Sequence, residues 1–219
     1  MRFSIFGFPV EVNSSIWLLL GVYVLFGIQE RTPASEAVTW ITVIFLSVLI
    51  HELGHAFVAR AYRLGPVRIV IHGFGGLTQA SRSGTPFQQL LLSLAGPAAG
   101  LLLGAVAFTL WFLPTPELGQ SLLFKLIFIN VFWSIFNLLP IFPLDGGQAL
   151  LALLYIVVPK AALPVTSGIG LAGSLLLALA SMATGQIFIL FFAGMFVMQN
   201  AQVLRAWHAK TRARSSQIR

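Results

Sequence analysis

His51, Glu52 and His55 fall in the pattern His-Glu-x-x-His. At about 100° per residue, helical positions four apart lie about 40° from each other around the axis. The two imidazoles then share one face, one turn apart, with the Glu52 carboxylate beside them. Such a pair can ligate one zinc ion, and the neighbouring carboxylate can accept a proton from water that the ion activates. The pattern lies inside the apolar run Val38–Ala59, which is long and hydrophobic enough to predict a membrane-spanning helix. Ionisable groups at membrane depth are costly and are usually retained for a task, so the implied chemistry is hydrolysis within the bilayer. The bland alternative is a pair of buried histidines partnered by other helices.

A catalytic zinc takes three protein ligands and keeps one position open. The chain has no cysteine, which excludes disulfides, iron–sulfur clusters and thiol ligands and leaves His, Asp and Glu as donors. Of its six carboxylates, only Glu52 and Asp145 fall in apolar surroundings. Asp145 is the single aspartate, in the stretch Asn137-Leu-Leu-Pro-Ile-Phe-Pro-Leu-Asp-Gly-Gly147. Pro140 and Pro143 interrupt a helix there and Gly146 and Gly147 permit a tight turn, so Asp145 is expected on unwound backbone facing a cavity. It could be the third zinc ligand, a cap for the helix that follows, or both.

The elements that must position these groups are apolar throughout. Of 219 residues, 58% are hydrophobic and 9% charged, against about 25% charged in an average soluble domain. Mean hydropathy is +0.91, which excludes an ordinary soluble protein. The predicted fold class is an all-α polytopic membrane protein of about six transmembrane helices. Its spans are expected at 14–28, 38–59, 90–113, 122–158 with an interruption at 140–147, 162–183 and 186–204. All of them belong to one intramembrane domain, 1–219. Six spans put both termini on one side, and placing that side in the cytoplasm leaves only Arg31 and Lys125 of the 13 Lys and Arg residues outside. The net charge of +7 then reads as a topology signal and a contact with anionic lipid, not as nucleic-acid binding. In this orientation His51 and His55 lie in the cytoplasmic half of their span, where water can reach them.

Short strands are expected at the membrane surface. Arg2–Asn13 alternates as an amphipathic strand and does not look like a cleaved signal. The apolar run Val67–Ile71, followed by Gly73, Gly75 and Gly76, reads as a strand and turn after the second span. Gly96, Gly100 and Gly104 form small-xxx-small steps suited to close helix packing, and Asn130, Ser134 and Asn137 share a helix face. His72 and His208 read as loop and tail residues.

Taken together, HELGH at 51–55 and the pattern Asn137…Pro140…Leu144-Asp145-Gly146 resemble the signatures of the site-2 protease family of intramembrane zinc metalloproteases. The order is also similar to the family's, with HExxH in the second span, Ala95-Gly96-Pro97 in the third and the aspartate in the fourth, and Phe6-Gly7-Phe8-Pro9-Val10 and the Gly75-Gly76 turn are similar to its membrane-associated strands. The resemblance covers about 150 residues, Arg2 to Gly147. It suggests a minimal form without a PDZ or CBS domain.

The resemblance implies one Zn²⁺ per chain on His51, His55 and Asp145, with Glu52 as general base and Asn137 as a donor to substrate backbone or oxyanion. It implies a transmembrane protein or peptide as substrate, cleaved near the cytoplasmic side in regulated proteolysis, with a separate regulatory or adaptor protein as a conceivable partner. An extended substrate could pair with the edge of the 67–79 segment, near Gly75 and Gly76. A metal-ion or proton transporter using the same His/Glu/Asp cluster is the alternative.

Overall fold

Alternating apolar side chains in two distant segments build one small sheet. The computed structural model describes residues 1–15, 34–73 and 75–216. β1 (Arg2–Ile5) and β2 (Phe8–Val12) form an antiparallel hairpin. Its two-residue turn, Phe6-Gly7, has positive φ at both positions, which matches the twist of the strands. β2 then pairs in parallel with β3 (Val67–His72), Val10 opposite Ile69, and β3 pairs antiparallel with β4 (Gly75–Ala80). The order is β1-β2-β3-β4, so β4 is an edge strand among the described residues. Phe8, Val10, Val67, Ile69 and Ile71 are buried while Arg68 points out, as the period of two requires.

Six helices follow among the described residues: α1 (Ala34–Ala61), α2 (Pro86–Leu110), α3 (Glu117–Asn137), α4 (Asp145–Val157), α5 (Ala162–Thr184) and α6 (Ile187–Ser216). All but α4 are long and apolar enough to cross a membrane. Their polarity is inverted relative to a water-soluble bundle. α3 buries Lys125, Asn130 and Ser134, and α5 buries Thr166, Ser167, Ser174 and Ser181, while Leu102 and Leu176 are each 67% exposed. That distribution suits lipid on the outside and polar groups packed inside, where Lys125 and Asn130 bond across helices and Thr166, Ser174 and Ser181 donate to carbonyls of their own helix. The protein is a multi-pass membrane protein, mainly helical with a small N-terminal sheet. The span expected at 14–28 lies, from residue 16 onward, outside the described residues.

Two compact units are distinguishable. The first comprises Met1–Gly84 and Ala95–Ile135. Within it the sheet lies along the C-terminal half of α1. Phe57 of α1 meets Phe8 edge-on at 5.4 Å, and Arg60 stacks over Phe8 at 4.3 Å while donating to the Phe6 carbonyl at 2.8 Å. Near the opposite end of α1, Lys125 of α3 is 2% exposed and pairs with Glu36 at 2.8 Å. It also donates to Thr39 and Ser121. Asn130 donates to Ser47 at 2.9 Å, tying α3 to α1 again.

The second unit comprises Thr85–Leu94 and Phe136–Arg219. Here the helix break at residues 138–144 packs Ile141 and Leu144 against Phe196 of α6. Asn200, fully buried on α6, donates to the Phe142 carbonyl at 2.9 Å and so satisfies backbone that the break leaves without a helical partner. The expected interruption at 140–147 is thus shifted. Asp145 is the first residue of α4, not part of the unwound backbone, and Gly146 and Gly147 are helical. Their lack of side chains serves close approach: a Cβ on Gly146 would collide with the Leu138 and Leu139 carbonyls, and one on Gly147 with the Ile141 backbone.

Candidate metal centre

α1 places its three polar site residues inside a membrane-length helix, roughly 9–15 Å from its C-terminal end. His51, Glu52 and His55 are 3%, 4% and 8% exposed. Their ligand atoms lie within 4.8 Å of one another, and this is the group of metal-capable side chains found among the described residues. The two imidazole Nε2 atoms are 3.2 Å apart, with ring planes at 76°. Two nitrogens held at about 2.05 Å by one tetrahedral ion are about 3.3 Å apart, so the pair has the spacing of two ligands on a shared zinc.

Gly96 of α2 makes room for that arrangement. A Cβ there would lie 2.7 Å from His51 Nε2 and closer still to His55 Nε2. The space before both ligating nitrogens therefore depends on a residue without a side chain. One turn further along α2, Gly100 faces Ser134, and Gly104 faces Asn130 and Val131. The stripe is thus partly packing, as its spacing suggests, and partly site.

The sheet supplies the other wall. Thr78 of β4 donates its hydroxyl to Glu52 Oε2 at 2.7 Å, and a Cβ on Gly76 would collide with the Glu52 side chain. Gly75, at a φ of 127°, has Trp133 of α3 against it. Of the candidate residues, His51, Glu52, His55 and Gly76 are therefore brought together in the first unit. Asp145, opening α4, and Asn137, closing α3, flank the helix break in the second unit. Gly96 and Thr78 are site residues that spacing alone did not single out. Gly96 was visible as a packing glycine, and Thr78 carries no signal until β4 is folded against α1.

The donor set of two imidazoles and a carboxylate fits zinc. Comparison with known proteins points the same way. The profile of peptidase family M50 matches residues 39–125 and 114–181. The chain belongs to peptidase family M50. Protein sll0528 of Synechocystis sp., named for a zinc metalloprotease, is 37% identical over 163 residues, 69% of this chain and 43% of that protein. Zinc metalloprotease MJ0392 of Methanocaldococcus jannaschii is 31% identical over 154 residues, 69% of this chain and 44% of that protein. The chain thus matches less than half the length of these relatives. The solved structure of a site-2 protease from Methanocaldococcus jannaschii superposes with a TM-score of 0.70 at 26% identity, covering 93% of this chain and 94% of that one. The M50 membership and this fold agree with the family resemblance of the two sequence signatures.

Proposed function

We propose that this M50 member is a zinc-dependent intramembrane endopeptidase that hydrolyses peptide bonds of membrane-spanning substrates near the cytoplasmic side, in regulated intramembrane proteolysis. The observation that carries the reading is the buried Glu52 beside two imidazole nitrogens 3.2 Å apart inside a membrane-length helix. His51 and His55 would hold the ion, and Asp145 would complete the ligand set, as the family resemblance implies. Zinc, when bound, supplies a Lewis acid that makes water nucleophilic near neutral pH and polarises a peptide carbonyl. Glu52 takes the proton from the attacking water on its carboxylate and returns it to the leaving amine. Asn137 donates a hydrogen bond to substrate backbone or oxyanion.

A transmembrane helix has its peptide bonds satisfied internally, so the substrate must unwind before attack. The edge of β4, unpaired among the described residues and with Gly75 and Gly76 at its start, is suited to capture the extended stretch by strand addition. Both termini face the cytoplasm, a topology supported by the distribution of Lys and Arg. A separate regulator or adaptor would select substrates. A transporter using the same cluster is not favoured, because family M50 is a peptidase family.

The test is metal analysis and cleavage by the purified chain. Wild type with one zinc should cut a transmembrane substrate, and Glu52→Gln should keep the zinc while losing about 10²- to 10⁴-fold in rate. Equal cutting by the two would remove Glu52 from the chemistry.

A further inference from the structure

We propose that Thr78 is a positioning residue for Glu52: its hydroxyl holds Oε2 and so assigns Oε1 to the proton transfer. This rests on the reading of Glu52 as general base. Positions 76 and 78 of β4 share one face of the strand, by its period of two, and that face lies on Glu52. At 76 there is no side chain, because a Cβ would collide with Glu52; at 78 there is a hydroxyl.

Thr78 Oγ1 has one proton and two acceptors in reach, Glu52 Oε2 at 2.7 Å and the Glu52 main-chain oxygen at 3.0 Å. The shorter contact goes to the carboxylate, and a hydrogen bond to an ionised acceptor is about twice as strong as one between neutral groups. A glutamate's terminal torsion is broad and nearly two-fold, so an unanchored carboxylate samples many orientations. The hydroxyl selects one of them. Because Thr78 stands on an edge strand, the orientation of the base depends on where β4 lies.

The experiment compares the full-length chain, loaded with zinc in detergent, as wild type, Thr78→Val, Thr78→Ser and Glu52→Gln. Four quantities are read for each: kcat and KM on a transmembrane peptide, zinc per chain, and the melting temperature. Thr78→Val keeps the shape but removes the donor, and should lower kcat by about 10- to 100-fold, with KM, zinc content and melting temperature close to wild type. Thr78→Ser should recover kcat to within about threefold, since it restores the hydroxyl that orients the carboxylate. An infrared difference spectrum against Glu52→Gln adds a readout independent of turnover: the carboxylate stretch should move in Thr78→Val and stay in Thr78→Ser. The proposal is overturned if Thr78→Val turns over like wild type, if it raises KM instead, if it loses zinc, or if Thr78→Ser is as impaired as Thr78→Val. Failure of the general-base reading looks different, with wild type and Glu52→Gln equal in rate. A wild type that does not cut removes that reading and the positioning role with it, even where the infrared contact persists.

Discussion

Adding one methyl group to Gly96 would press it against Nε2 of both His51 and His55, so the two ligating atoms would have to turn away from each other. Gly96→Ala should therefore leave the helices intact by circular dichroism while reducing zinc per chain well below one, measured by mass spectrometry of the purified protein. Full zinc content in that variant would show that the glycine serves packing alone. The pattern His51-Glu52-x-x-His55 was legible before folding because a single helix determines its geometry. Gly96 was legible only in part. The small-xxx-small spacing announces close approach, but which of three glycines meets an imidazole depends on the rotation of α2 against α1, which local spacing does not encode. Thr78 lay beyond reach for the same reason, since its partner is 26 residues away on another element.

The helix break at residues 138–144 closes part of its backbone bonding locally, as from the Leu144 N–H to the Ile141 carbonyl, but its Phe142 carbonyl accepts from outside, from Asn200. Asn200→Leu removes that donor from a fully buried site and leaves the Phe142 carbonyl without it, at a cost of about 1–3 kcal/mol. Chemical unfolding in detergent should show the loss, whereas Leu176→Ala, on a 67% exposed position of α5, should change little. Equal effects of the two would mean that the break is held by packing rather than by this bond. Pro140 and Pro143 made the interruption readable, since proline cannot continue the backbone ladder. Its end was misjudged because glycine has two uses. Gly146 and Gly147 suggest a turn in isolation, yet here they are the second and third residues of α4, small because the backbone of 138–142 runs against them.

At the scale of the whole molecule, hydropathy announced a multi-pass membrane protein, and the inverted burial of Lys125, Asn130 and Ser134 is its three-dimensional counterpart. The strands were legible from alternation at 2–13 and from the apolar run with its glycines at 67–76, but their joining into one four-stranded sheet was not. Parallel pairing of β2 with β3 is a long-range contact that no local period records. The proposed topology has its own check, made simple by a chain without cysteine. Ser4→Cys and Lys210→Cys should both be labelled by a membrane-impermeant thiol reagent only after the cells are opened. Labelling of intact cells at either position would reverse the orientation and move the site to the other face.

The parallel pairing also fixes an order of events during synthesis. Val12 finds its partner only when Ile71 has been made, about 60 residues later. At 5–20 residues per second the ribosome needs roughly 3–12 s for that stretch. Through this interval the first hairpin has no third strand, and an isolated two-stranded hairpin is marginal in water. Glu52 emerges within the same interval, ahead of Thr78. The nascent chain therefore carries its proposed acid–base group before the hydroxyl that orients it, and that orientation is set only when β4 joins the sheet.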